Sequence, residues 1–357
     1  MPSSSTRARN RPTHHPYKCA PKHCIPFHAS PLMTMSKPHA ACSLLLALLI
    51  GLTRPSPCTS SLYNPPPPDM TYHHGGVLDS TVPVSVLYYG AFSPHHKAVL
   101  ADFLRSLSPR SRPHTFGAPA AASSASVAQW WETVDRYVQR TGRERTRVML
   151  TNQVSDEGCS LGKHLSRLQV EQLAARLGVA PGGVAVVLTA ADVAVDGFCG
   201  SSCGLHGSLA PGGAVHVWVG NAAVQCPGRC AWPFHAADPA AAATAGPGRH
   251  RSGETPLRAP NGDAGVDGMV INLAALLAGA VTNPYGHGYF QGDAGAPVEV
   301  GGGCPGVYGR GAYPGYPGAV KLDTATGGGY NVVGRNGRRY LVPALLDPAN
   351  YSCLVMA

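Results

Sequence analysis

The sequence predicts an α/β protein: a single domain whose mixed sheet is flanked by helices, ending in an irregular, Gly/Tyr-rich and disulfide-bonded C-terminal part. Three observations carry that expectation. Runs of strand character alternate with segments of helical spacing through the first two thirds of the chain, the pattern of layered α/β architecture. Apolar residues make up 44% of the 357 positions, enough for a sizeable core. Gly (43) and Pro (33) exceed ordinary usage without a collagen period, which sets turn-rich segments beside the regular ones. No internal repeat is visible.

Residues 1–34 read as an upstream extension. Residues 41–52 (ACSLLLALLIGL) form a twelve-residue apolar run preceded by Lys37 and followed by small residues up to Ser60. That is the length of a signal-peptide core and too short to cross a bilayer. The segment 35–60 is therefore taken as a signal peptide, with Met35 as an alternative start. Residues 61–70 form a Pro-rich leader around Pro65–Pro68, and the folded domain spans 71–357. The expected location is the extracellular space, or apoplast. No apolar run reaches the roughly 18 residues of a membrane span, so a multi-span protein is excluded and none remains after signal removal. The formal charge of +9 suggests nucleic acid, but residues 1–60 hold seven Lys/Arg and no Asp or Glu. The remainder, with 21 basic and 19 acidic residues, has no basic stripe, which excludes nucleic acid as a partner.

Residues 81–90 (TVPVSVLYYG) read as a buried strand closed by glycine. Ser93-Pro94 is a cap with proline at the first helical position, opening a helix to about Leu107. Residues 109–125 are a Pro/Ser/Ala-rich loop. A helix over 126–140 places Trp130, Trp131, Val134, Tyr137 and Val138 on one side. Residues 147–151 form a short strand, and Ser166-x-x-Gln169 is a capping box for a helix ending at Gly178. Residues 184–190 and 214–220 are further buried strands. Residues 236–256 read as an Ala/Pro/Gly/Arg-rich surface insertion. Asp267 is expected to cap the most apolar helix, 268–280, which stops at Thr282-Asn283-Pro284. Beyond it the chain has turn signals and weak strands.

After residue 60 seven cysteines remain: Cys159, Cys199, Cys203, Cys226, Cys230, Cys304 and Cys353. In an oxidising compartment six of them form three disulfides of open connectivity. Cys159, isolated between Gly158 and Ser160, is the one left over. The C-x3-C pairs 199–203 and 226–230 also have a spacing that a zinc knuckle uses.

Long blocks in order carry a resemblance: YYGAFSPHHKAVLADFLRSLS (88–108), SVAQWWETVDRY (126–137), VVLTAADVAVDGFCGSSCGLHGS (186–208), VWVGNAAVQCPGRCAWPFH (217–235), APNGDAGVDGMVINLAALLAGAVTNPYGHGYFQG (259–292) and CPGVYGRGAYPGYPG (304–318). Over about residues 70–357 the chain closely resembles the plant EXORDIUM, or phosphate-induced, protein family. Cys159 departs from it, standing where the family usually carries tyrosine. The resemblance implies an apoplastic, cell-wall protein that promotes hormone- and nutrient-dependent growth, including brassinosteroid response. Its implied partner is a wall polymer or an extracellular receptor or peptide. It supplies no catalytic residue, metal ligand or cofactor, and none is assigned.

A fainter resemblance joins residues 278–290 (AGAVTNPYGHGYF) to the end of the active-site helix of some secreted zincin-like peptidases, H-E-x-x-E-A-x-T-[DN]-P, and residues 198–207 (FCGSSCGLHG) resemble a Cys-x-x-His-Gly strand of such proteins. Zincin chemistry needs ligands one turn apart and a glutamate that activates water. Those positions fall on Ala275, Leu276 and Gly279, so the ligands are lost and Leu276 is expected in the core. Other candidates are His206, His216, His235 and His287 as metal ligands if they converge. Asp192, Asp196, Asp263 and Asp267 supply carboxylates at four-residue spacing, as a glycosidase pair requires if they flank a cleft. Tyr308, Tyr313 and Tyr316 offer a loop for stacking on polysaccharide. No phosphate-binding loop, dinucleotide fingerprint or nucleophile elbow is present. The sequence favours non-catalytic binding, with a secreted hydrolase of non-standard site, peptidase or polysaccharide-active, as the alternative.

Overall fold

A strand that is apolar on both faces needs cover on both faces, and three segments of this chain have that composition. The computed structural model describes residues 70–108, 124–200, 202–236 and 255–356. The upstream extension, the signal segment, nearly all of the leader, most of the 109–125 loop and most of the 236–256 insertion lie outside the described residues.

Strand β1 (Thr71–Tyr72) leads into β2 (Thr81–Tyr89), buried at every residue from Val84 on. Helix α1 (Pro94–Ser106) opens with the Ser93 hydroxyl accepting from the His96 N–H and proline in its first turn. Helix α2 (Val127–Arg140) opens with a complete capping box between Ser126 and Gln129. Its five predicted apolar residues are all buried. Strand β3 (Arg147–Asp156) is twice the expected length. After β4 (His164–Leu165), helix α3 (Arg167–Ala175) carries the Ser166–Gln169 capping box. Then follow β5 (Val184–Thr189), β6 (Ala194–Val195), β7 (Gly204–Ser208) and β8 (Val215–Gly220). A short helix α4 (Pro227–Cys230) precedes the long α5 (Ala264–Thr282), and β9 (Tyr289–Gln291) and β10 (Val298–Glu299) follow it.

The central sheet runs β3-β2-β5-β8-β7. The first three pairings are parallel and β7 closes the edge antiparallel to β8, so the sheet is mixed. Strands β5 and β8 are buried at all positions. The β2–β3 register shifts between Val84 and Ser85. There the Thr151 hydroxyl, on the extra residue, donates to the Val84 carbonyl at 3.0 Å. Strands β1, β9 and β10 form a second small sheet.

Helix α5 corrects one expectation. Its cap is Asp263, whose carboxylate accepts from the Val266 N–H at 2.9 Å, and the helix begins four residues earlier than expected. Asp267 instead lies inside the first turn, buried, accepting from the Asn261 backbone and side-chain N–H groups at 2.9 and 2.6 Å. Gly265 and Gly268 in this turn conceal its helical start from propensity. At 19 residues α5 is long and apolar enough to cross a membrane, but most of it is buried inside the fold.

The C-terminal part consists of two-residue ladders, such as Val332–Val333 with Arg339–Tyr340. Polar tips of large buried rings tie it to the helices. The Trp130 indole N–H donates to the Pro343 carbonyl (2.8 Å), the Tyr137 hydroxyl to Leu346 (3.2 Å) and the Tyr340 hydroxyl to Val99 (3.0 Å). Each ring thereby buries its apolar body without stranding its polar atom.

Candidate functional site: a cleft beside the edge strand

The three disulfides are Cys199–Cys226, Cys203–Cys230 and Cys304–Cys353. The first two correct the zinc-knuckle alternative, because both C-x3-C pairs are consumed as parallel rungs. Cys203 immediately precedes β7, while the Cys230 carbonyl accepts from the Asn272 side chain of α5 at 2.9 Å. The rungs thus fix the start of β7 against α5. Among the described residues Cys159 is the one free cysteine; burial is the main cause that pushes its thiol pKa up.

A cleft of about 1060 Å³ opens where β7 meets the C-terminal end of α5. Leu205, Leu209, Leu276, Pro284 and Pro297 give it apolar walls. Tyr285 crosses toward the β7–β8 turn, its hydroxyl donating to the Gly213 carbonyl at 3.2 Å. A connected polar group stands among these walls. His206 Nε2 and Glu299 Oε2 are 2.6 Å apart, and the Asn283 side-chain amide donates to Glu299 Oε1 at 2.7 Å. Asn283 also caps α5, and its Oδ1 accepts from the Gly288 N–H at 2.7 Å. A carboxylate only accepts, so His206 donates through Nε2. Its Nδ1 is buried without a hydrogen-bond partner. The side chains of His206 and Glu299 are 9% and 17% exposed.

The helix makes room for this group at Gly279. A Cβ there would lie 2.6 Å from Glu299 Oε2 and 2.8 Å from His206 Nε2. Leu276 also faces the cleft and is half-buried, which corrects the expectation that it belongs to the core. The helix face on which a zincin would carry its chemistry therefore does border a cleft. Among the described residues no three His, Cys, Asp or Glu side chains come together as a metal site.

The four candidate histidines do not converge. His206 and His287 line the cleft, the latter exposed at its mouth. His216 is buried in β8, both ring nitrogens unpartnered, and burial first, then His206, lowers its pKa to about 4. His235 is exposed, its Nδ1 near the Ala236 carbonyl. The aspartates have separate occupations: Asp192 pairs with Lys163, Asp196 is exposed, Asp263 is the α5 cap and meets His96 at 3.2 Å, and Asp267 bonds Asn261. Tyr308 is buried. Tyr313 and Tyr316 flank a Pro-Gly turn with ring centroids 5.1 Å apart, and Tyr313 is exposed. Glu299 and Asn283 were not candidates. No motif marks Glu299, and Asn283 reads only as part of a helix stop.

The model of the phosphate-induced protein 1 conserved region matches residues 70–356. The chain is 46% identical over 290 residues to Protein EXORDIUM-like 1 of Arabidopsis thaliana, spanning 79% of this chain and 88% of that protein. It is 44% identical over 296 residues to Protein EXORDIUM of Arabidopsis thaliana (80% and 89%). It is 45% identical over 294 residues to Protein PHOSPHATE-INDUCED 1 of Nicotiana tabacum (80% and 87%). No solved structure matches, so the zincin resemblance gains no structural neighbour.

Proposed function

This chain belongs to the EXORDIUM and phosphate-induced protein family, and from that premise we propose that it promotes growth and cell expansion from outside the cell. It acts there by binding a wall polymer, a peptide or a receptor segment without turning it over. The observation that carries the binding role is the cleft between β7 and α5: apolar walls around a few convergent polar groups are the usual make-up of a ligand site. Both oxygens of Glu299 are engaged by His206 and Asn283, which supports holding a ligand over attacking one. Three disulfides support an oxidising compartment.

The alternative, a secreted hydrolase, draws on one feature, the hydrogen-bonded and mostly buried His206–Glu299 pair. Binding of the full chain to fractionated wall extract separates the two readings, with Leu276→Arg as the blocked-cleft control. Wild-type retention that Leu276→Arg loses, with casein and wall polysaccharide left intact, is the expected result. Stoichiometric zinc and chelator-sensitive cleavage by the wild type would establish the hydrolase instead.

A further inference from the structure

We propose that the cleft takes an extended peptide, which adds to the central sheet as a sixth strand along β7. This rests on the binding role given to the cleft above and names its ligand class.

Hydrogen-bond parity comes first. Strand β7 is the sheet edge, with Gly204 opposite Val219 and Ser208 opposite Val215. The Cys203 carbonyl accepts from Gly220 at 3.4 Å, and the Leu209 N–H donates to Ala214 at 2.9 Å. Antiparallel bonding recurs at every second residue, so positions 203, 205, 207 and 209 turn their backbone groups to β8. The N–H and C=O of Gly204, His206 and Ser208 point the other way, and among the described residues no hydrogen bond takes them.

At His206 and Ser208 that open edge faces the cleft, while Gly204 is buried at the start of the strand. A cavity over one face of a strand touches every second residue, because side chains alternate. This one is lined by five consecutive residues, 205–209, so the backbone edge itself looks into it. The lining also includes Pro284 and Pro297, which have no N–H to offer β7. Edges are commonly blunted by lysine, proline or a bulge. None stands between Gly204 and Ser208, and Gly204 and Gly207 carry no side chain to cover the strand.

A polypeptide answers this surface. Strand addition supplies donors and acceptors at the spacing of β7, roughly 16 Å long, while pockets select alternate side chains. Leu276, on the face of β7 that carries Gly204 and His206, offers such a contact for an apolar residue, beside His206 with its unpartnered, buried Nδ1. A polysaccharide lacks the alternating N–H and C=O.

The test is selection of a random peptide library on the immobilised full chain, followed by N-methylation of a selected peptide one residue at a time. Selected peptides should lose at least about tenfold in affinity for Leu276→Arg. N-methylation should cost about tenfold at every second position and little between, since each affected site loses one hydrogen bond. Ser208→Pro, which removes an N–H that faces the cleft and none that faces β8, should give a comparable loss. Circular dichroism and thermal melting establish that both variants are folded. A flat N-methylation profile in Leu276-dependent peptides overturns strand addition and leaves the cleft as a binding site. Failure to select any Leu276-dependent peptide, with wall oligosaccharides binding in a Leu276-dependent way, overturns the ligand class alone. If neither probe depends on Leu276, both readings fall.

Discussion

Two buried side chains pull the pH dependence of stability in opposite directions. Burial is the largest cause in each: it raises Asp267 from 3.8 to about 7 and lowers His216 from 6.5 to about 4. Between about pH 4 and 7 the folded state holds a proton on Asp267 that the unfolded chain has released, so stability falls as pH rises. Between about pH 4 and 6.5 the unfolded chain holds a proton on His216 that the folded state refuses, so stability rises with pH. Each effect is on the order of 3 kcal/mol, and they largely cancel in the shared window. His216→Leu should uncover a loss of stability from pH 4 to 7, and Asp267→Asn a gain from pH 4 to 6.5, both read by denaturant unfolding. Parallel profiles for the two variants would refute the assignment. Gly279→Ala probes the cleft at the same scale. In an open helix site the change stabilises by about 1 kcal/mol. Here the new Cβ meets the His206–Glu299 pair, so that gain should be absent and the His206 ring resonances should move. A full gain with an unmoved ring would show that the pair yields freely.

At the scale of elements, legibility follows from whether a segment carries its own reason to form. Strands β2, β5 and β8 were readable because continuous runs of Val, Leu and Tyr have no other outlet than a covered sheet. Helices α1 and α3 announced themselves through Ser caps with a proline or glutamine partner, and α2 through the helical spacing of its apolar residues. The second half of β3 was not readable, since exposed Asn152, Gln153 and Ser155 have weak strand preference and are held by pairing with β2. Strand β7 is marked only by the faint resemblance of residues 198–207 to a Cys-x-x-His-Gly strand, and not by its own composition. Its sequence GLHGS lacks alternation, and it is held by pairing with β8 and by the rung that starts at Cys203. Half of the cleft depends on that weakly marked strand, and Glu299 comes from another short one, so the sequence marks His206 and His287 as candidate ligands, Leu276 as core and Asn283-Pro284 as a helix stop, but nothing that joins them to Glu299. The disulfides can be tested at this scale too. Cys304→Ser opens a bridge across 49 residues and should cost roughly 2–5 kcal/mol. Cys159→Ser breaks no bridge and should cost much less by the same unfolding measurement. Equal losses would mean that Cys159 has a structural partner.

For the molecule as a whole, charge and cysteines divide at the same place. Residues 1–60 contain seven of the 28 Lys/Arg, none of the 19 Asp/Glu, and four cysteines at positions 19, 24, 42 and 58. The described fold begins at Met70, already buried, and β1 follows at once. A cut near Ser61 therefore leaves every described element intact. We predict that the extracellular form starts within a few residues of Ser61. Removing the segment lowers the formal charge from +9 to +2, given the 21 basic and 19 acidic residues that remain. It also leaves seven cysteines, of which six are bridged and Cys159 is free. Protein collected from the medium, denatured without reduction and alkylated, should accordingly carry a single label, at Cys159, and should focus at a less basic pH than the whole chain. Recovery of Met1 or Met35 by N-terminal sequencing of that material, or label on any of the four upstream cysteines, would show that the segment is retained and would remove the main sequence argument for an extracellular role.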